Sequence, residues 1–305
     1  MKRRPFKSGI LNHCYQRSVD HGLIFYSQSD YLVWFTIVCV TAPRYGVKIL
    51  GLCPMPDHTH MAVVADTVKD LSGFMGAVNR SFSKMHNETC GLKGSWFESP
   101  FGSVPKQGNK QGRNCLIYVG NNPVERQLSV TAAEYRWTFL AYAVSNHPFS
   151  EKLVLRKASW NMRNAVREVR AQYKAGKPLR YNLLKRLVKK LNSQEIQQLT
   201  DFIINTYNVI DYHEALRFFD GRFEKMTAAM SLSTAKEFDL NETFVGWSDK
   251  PYAPMAQLLL KEKELPDIHN FLSWPREGKR NLYQLLKRKT DFMPEQISKF
   301  LHYWP

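Results

Sequence analysis

Nowhere in the 305-residue chain do about 18 apolar residues run without interruption, so no membrane-spanning helix is expected. The apolar stretch from Leu32 to Val40 is too short to span and reads as a buried helix. The start, Met1-Lys2-Arg3-Arg4-Pro5, lacks the apolar run of a signal peptide. Cysteine is sparse: Cys14, Cys39, Cys53, Cys90 and Cys115 are odd in number, widely spaced and without a C-x-x-C pair. They read as reduced thiols in a cytoplasm, not as a disulfide framework or a zinc site. There is no internal repeat and no low-complexity segment. Acidic residues are in deficit, 27 against 43 basic ones, for a net charge of +16. The excess is spread: residues 1–150 hold 16 basic and 9 acidic residues (+7), and residues 151–305 hold 27 and 18 (+9). Both halves can therefore touch a polyanion, and nucleic acid is favoured over a membrane surface because no polybasic amphipathic helix stands out.

With 44% hydrophobic residues the chain can bury a sizeable core, which excludes global disorder. Residues 9–16 suit a first strand. Ser29 and Asp30 offer N-caps to a helix reaching about Ala42. Residues 47–53 read as a strand, Pro54 and Pro56 as a turn, and His58 to Ala65 as a strand paired back on it. From Thr67 onward Leu71, Phe74, Met75, Val78, Phe82 and Met85 recur at helical spacing. Residues 96–104 suggest a last, irregular strand, and 105–112 a glycine- and lysine-rich loop. Asn114 to Asn122 reads as a helix stopped by Pro123. The order β-α-β-β-α-β-α predicts an α+β fold, a ferredoxin-like antiparallel sheet with helices on one face. Beyond about 148 helical patterns dominate, with a loop over 241–254. Two short helices around Asp291–Pro294 outline a helix-turn-helix at 280–303, or a plain helical hairpin. The expected division is 1–148 and a mostly α-helical 149–305.

Chemistry points to His58-Thr59-His60. On a strand the two imidazoles share one face and can grip a divalent cation, although for an isolated H-x-H a packed or hydrogen-bonded histidine pair is the commoner explanation and the motif alone is weak. Tyr118 and Asn122 fall one helical turn apart. A phenol can attack a phosphodiester and stay attached, and an amide oxygen can complete a metal shell. Equally, Tyr118 can be a core aromatic and Asn122 a helix cap.

The segment Leu50-Gly-Leu-Cys-Pro-Met-Pro-Asp-His-Thr-His-Met-Ala-Val-Val64 resembles the HUH signature of single-tyrosine transposases, and REP-associated tyrosine transposases in particular. Ile117-Tyr-Val-Gly-Asn-Asn-Pro-Val124 is similar to that family's tyrosine helix. Phe25-Tyr26 leading to Asp30-Tyr31, Trp96-Phe97, and Tyr135-Arg136-Trp137-Thr138 agree with it, and the likeness covers about residues 9–145. Asp57 stands where the family usually has Asn, and Thr59 where it usually has an apolar residue.

The resemblance implies an HUH endonuclease fold over 1–148, with Tyr118 as nucleophile and His58, His60 and Asn122 as ligands of Mg²⁺ or Mn²⁺. It implies nicking and rejoining of single-stranded, hairpin-flanked DNA through a 5′-phosphotyrosine. Basic side chains such as Arg3, Arg4, Lys106, Lys110, Arg113, Lys287 and Arg288 are candidate phosphate contacts, and Trp96, Phe97 and Phe101 candidate base-stacking residues. Monomer and homodimer both stay open. A DNA-binding regulator that keeps the fold but not transposition is the rival reading, motivated by the helix-turn-helix outline.

Overall fold

The computed structural model describes residues 5–232 and 248–305. In chain order come β1 (Leu11–Arg17), α1 (Gln28–Thr41), β2 (Lys48–Met55), β3 (His58–Val64), α2 (Val68–Cys90), β4 (Gly102–Pro105) and α3 (Gly108–Glu125). The strands form one sheet ordered β2-β3-β1-β4, with every pairing antiparallel. This is the expected ferredoxin-like α+β arrangement.

Local chemistry explains the boundaries. Ser27, not Ser29 or Asp30, caps α1; Asp30 is the third helical residue, and its carboxylate accepts hydrogen bonds from the backbone N–H groups of Ser27 and Tyr26. Thr67 caps α2 as its sequence suggests. α3 begins at Gly108, well inside the segment expected to be a loop, and no side chain caps it. It also runs past Pro123 to Glu125, because a proline in the final turn forfeits only one helical hydrogen bond while Arg126 and Leu128 still donate to Asn122 and Pro123 carbonyls.

Strand alternation divides the sheet into two faces. One carries Cys14, Ile49, Leu52, Met61 and Val63 into a core with α1 and α2. The other carries Leu11, Leu50, Cys53, Met55 and Ala62 against Cys115, Leu116, Tyr118 and Val119 of α3. The third helix thus lies on the opposite face from the first two, a correction to the expected single helical layer. A bulge between Ile49 and Gly51 fits β2 to both layers. A side chain at Gly51 would press on Leu116 and Phe139, so glycine lets α3 approach the strand.

Beyond residue 149 every named element is helical: α4 (Trp160–Lys174), α5 (Tyr181–Val188), α6 (Ser193–Tyr207), α7 (Tyr212–Arg217), α8 (Phe223–Leu232), α9 (Tyr252–Glu262), α10 (Arg276–Lys289) and α11 (Pro294–Leu301), with a 3-10 segment at Ile268–Ser273. Of the loop expected over 241–254, residues 241–247 lie outside the described residues, and 252–254 already belong to α9. These helices share both cores with the first half. Trp34 and Phe74 cluster with Leu199, Tyr207 and Phe271, and Leu116 and Val119 with Ala215, Phe219 and Met226. α10 and α11 supply the two helices and turn of the helix-turn-helix outline. However, α11 buries Gln296, Ile297, Ser298, Phe300 and Leu301. Of α11 only Pro294 and Glu295 are exposed, so little of this helix is free to enter a DNA groove. Among the described residues, no helix is long and apolar enough to cross a membrane.

A buried ionic knot joins the halves. Asp30 meets His269 Nε2 at 2.9 and 3.0 Å and the Tyr181 hydroxyl at 2.7 Å, while His269 Nδ1 lies 2.5 Å from Asp267. Burial by itself would raise the Asp30 pKa, but the His269 charge and hydrogen bond outweigh it and hold the carboxyl well below its usual range. Burial likewise opposes charge on His269, yet Asp30 and Asp267 carry its pKa up to about 10. A raised pKa stabilises the fold fully below the unfolded histidine value of about 6.5, and that contribution drains away as pH climbs toward 10. In chelator-treated protein the melting temperature should therefore fall between pH 7 and 10 more steeply than in His269→Gln. Parallel curves for the two proteins would contradict this origin.

Candidate active site

The β2–β3 hairpin turns through Pro56 and Asp57, with Met55 opposite His58. The turn is clamped: Ile24 and Phe25 donate backbone N–H groups to the Pro56 carbonyl at 2.7 and 3.0 Å, and the Tyr135 hydroxyl donates to the Pro54 carbonyl at 3.0 Å. Tyr135 also meets Tyr31, whose ring stacks on Trp137 at 4.6 Å. The Tyr135–Trp137 segment is thus scaffolding for the turn that presents His58.

His58 is oriented from behind. Its Nδ1 lies 2.5 Å from Asp57 Oδ1, and the other Asp57 oxygen accepts from Lys299 on α11. With Nδ1–H donating to Asp57, Nε2 is the nitrogen left to carry a lone pair toward a cation.

His60 is fully buried, and Tyr118 and His58 are only 6% and 7% exposed. The His60 ring stands edge-on to His58 at 4.7 Å between centroids and edge-on to Tyr118 at 5.1 Å. On its other side it stacks on His13 of β1 at 5.1 Å, with His13 Nε2 3.0 Å from His60 Nδ1. His60 Nε2 has no hydrogen-bond partner among the described residues. A buried lone pair with nothing to accept is costly unless a cation takes it. If Nε2 offers that lone pair, Nδ1 carries the hydrogen and donates to His13, which then acts as the outer partner that fixes a ligand's tautomer.

The electrostatics suit a ligand and an anion. Burial first, reinforced by the positive fields of Arg17 and Arg126, holds the His60 pKa well below its ordinary value, which favours the neutral ring that metal ligation requires. Burial would raise the Asp57 pKa, but His58 and Lys299 overcome it and keep the carboxyl ionised. Asp249 is buried, and neither of its carboxylate oxygens has a hydrogen-bond partner among the described residues. Burial and the nearby Asp57 charge push its pKa up to about 7, against the pull of Arg126, Lys299 and His58.

Of the residues singled out in the sequence, His58, His60 and Tyr118 converge. Asn122 is buried one turn beyond Tyr118, and its amide nitrogen donates to the Tyr118 carbonyl at 3.2 Å. Arg3 and Arg4 lie outside the described residues. Lys110 and Arg113 are exposed on the first turns of α3, Lys106 is half-buried just before it, and Lys287 and Arg288 are exposed on α10. Trp96, Phe97 and Phe101 are buried, with the Trp96 indole donating to Asn87, so their rings serve the core, while Phe97 and Phe101 also reach the wall of a cleft beside α2. A cleft of about 550 Å³ lined partly by Arg80, Lys84 and Phe97 runs beside α2, away from the histidine pair. Sequence reasoning missed His13, Arg17, Arg126, Asp249 and Lys299. Strand alternation could have flagged the first two, because His13 and Arg17 share a face of β1 and Arg17 is directly opposite His58.

Residues 24–109 match the family described as "Transposase IS200 like". The matched segment contains His58 and His60 and ends before Tyr118. Among solved structures, one titled as a REP-associated tyrosine transposase bound to a REP hairpin aligns at a TM-score of 0.39 and 16% identity, covering 45% of this chain and 81% of that one. No curated protein sequence matches. The fold assignment stands on the strand order itself.

The Lys299–Asp57 pair spans 242 residues of sequence and is nearly buried. Lys299→Met should leave the buried Asp57 carboxylate with His58 as its one close partner and cost about 3 kcal/mol. Lys299→Met combined with Asp57→Asn should recover much of that loss in urea unfolding. Additive losses would mean the pair is not coupled.

Proposed function

We propose that this chain, an IS200-like transposase over residues 24–109, nicks single-stranded DNA through Tyr118 with a divalent cation held at His58 and His60. The observation that carries the reading is the unpartnered Nε2 of buried His60, whose ring packs crosswise against Tyr118. Two neutral imidazoles suit a borderline cation such as Mn²⁺ better than hard Mg²⁺, which would lean on the oxygen ligands that complete the set; either, bound there, would draw charge from the scissile phosphate and steady the leaving 3′-oxygen. Asn122 is the expected third ligand. Asp249 is the competing oxygen donor, favoured by its two unpartnered carboxylate oxygens.

In the reaction the Tyr118 phenol oxygen forms a bond to phosphorus as the P–O3′ bond breaks. The phenol proton leaves, and the departing oxygen gains one to become a free 3′-hydroxyl. The 5′ end stays on Tyr118, and attack by another 3′-hydroxyl reverses the step without ATP. His13 and Asp57 orient the two histidines, and Arg17 and Arg126 supply the positive field for the phosphate. One chain provides both histidines and the tyrosine, so a second copy is not required to assemble the set. Because His60 and Tyr118 are buried, a covering element must withdraw for DNA to reach them. Residues 1–148 carry the chemistry in this reading, and 149–305 buttress the tyrosine helix and the His58 turn. DNA beside a hairpin is the proposed substrate.

Labelled single-stranded oligonucleotides carrying a hairpin, incubated with Mn²⁺, test the reading. The protein should yield a cut strand and a protein-linked fragment. His60→Ala should slow cutting by more than about 100-fold, and His13→Phe should raise the Mn²⁺ requirement by about 10- to 100-fold. Tyr118→Phe should form no adduct. Cutting that survives in Tyr118→Phe sinks the proposal, and hairpin binding with no cut by the unaltered protein favours the regulator. Loss in Asn122→Ala with activity kept in Asp249→Asn assigns the third ligand to Asn122, and the reverse assigns it to Asp249.

A further inference from the structure

A second convergence of ligand-type side chains lies on the opposite face of the sheet. Asp30 at the start of α1, His86 on α2 and His269 in the 268–273 segment are all buried, and one ligand atom from each lies within 4.8 Å of the other two. Asp30 Oδ1 is 2.9 Å from His269 Nε2 and 3.9 Å from His86 Nε2. Those separations straddle the roughly 3.4 Å ligand-to-ligand edge of a tetrahedral site with bonds of about 2.1 Å. We propose that Asp30, His86 and His269 form a structural site for a zinc-class divalent cation, distinct from the histidine pair beside Tyr118.

His86 gives the strongest argument. Its Nδ1 faces Cys90 Sγ at 3.3 Å, and its Nε2 lies 3.9 Å from Asp30 and 3.9 Å from the same sulfur, which a thiol already engaged with Nδ1 cannot also satisfy well. If Nδ1–H donates to sulfur, the Nε2 lone pair points at a carboxylate oxygen, which is repulsive unless a cation sits between. If the thiol donates to Nδ1, the Nε2–H faces an acceptor beyond hydrogen-bond range. A cation between the two groups resolves both cases. His269 also has the outer partner typical of a metal-bound imidazole, because Asp267 lies 2.5 Å from Nδ1 and leaves Nε2 for the site. Without a cation, a proton on His269 Nε2 takes its place against Asp30, so binding releases that proton. Tyr181 and Ser27 occupy the remaining directions around the carboxylate. The three ligands come from elements up to 239 residues apart, so binding free energy becomes folding free energy for the joined halves.

The inference does not depend on the nicking chemistry. Its test uses full-length protein with His58→Ala and His60→Ala, exposed to zinc and then desalted. Metal analysis should find close to one zinc per chain, falling below a tenth in the same protein carrying His86→Ala or His269→Ala. A variant that fails to fold is replaced by His86→Cys loaded with Co²⁺. That protein should gain an intense thiolate-to-cobalt absorption that the parent cobalt protein lacks. Absence of bound zinc in the parent, zinc retained without His86, or no thiolate band in His86→Cys would each overturn the site.

Discussion

The antiparallel register of β1 against β3, with Tyr15 opposite His60 and Ala62 opposite His13, decides which side chains meet the tyrosine helix. Alternation sends His13, His58 and His60 to the α3 face, and Cys14, Met61 and Val63 to the α1/α2 face. A slip of one residue would exchange the two sets, placing imidazoles in an apolar core and apolar groups under Tyr118. Burial of the apolar face therefore fixes the geometry of the polar one. The same burial keeps His60 neutral and leaves its Nε2 without a partner.

The helical second half is part of this constraint. α8 packs on α3 and α7 packs on β2, so the helix carrying Tyr118 is held between the sheet and the chain's own later helices. α11 reaches the opposite end of the site. Its Lys299 neutralises Asp57, and its Phe300 carbonyl accepts from Tyr26 at 2.6 Å. A carboxylate at position 57 suits that setting. A carboxylate grips the His58 N–H more strongly than an amide, and a lysine from the second half offsets the buried charge.

Much of this was legible in the residues. Period-two alternation gave the shared face of His58 and His60, and helical spacing gave α2 nearly to its ends. Other features were hidden for physical reasons. The first turns of α3 contain Gly108, Gly112 and no capping side chain, so local propensity reads as loop. Tertiary packing overrides it, with Phe218 seated where a side chain at Gly112 would stand. His13 acquires its role only through cross-strand pairing, and Lys299 only through a contact 242 residues away. The helix-turn-helix outline was visible at 280–303, but spacing could not reveal that α11's apolar stripe is used inside the molecule.

The central claim is that Tyr118, among the 14 tyrosines of the chain, is the residue that becomes joined to DNA. Protein incubated with Mn²⁺ and a hairpin-flanked single strand can be digested with nuclease and protease, and the nucleotide-bearing peptide sequenced by mass spectrometry. The account predicts a phosphodiester remnant on the peptide containing Tyr118 and on no other. A remnant on a different tyrosine, or strand cutting that leaves no peptide modified, would contradict it.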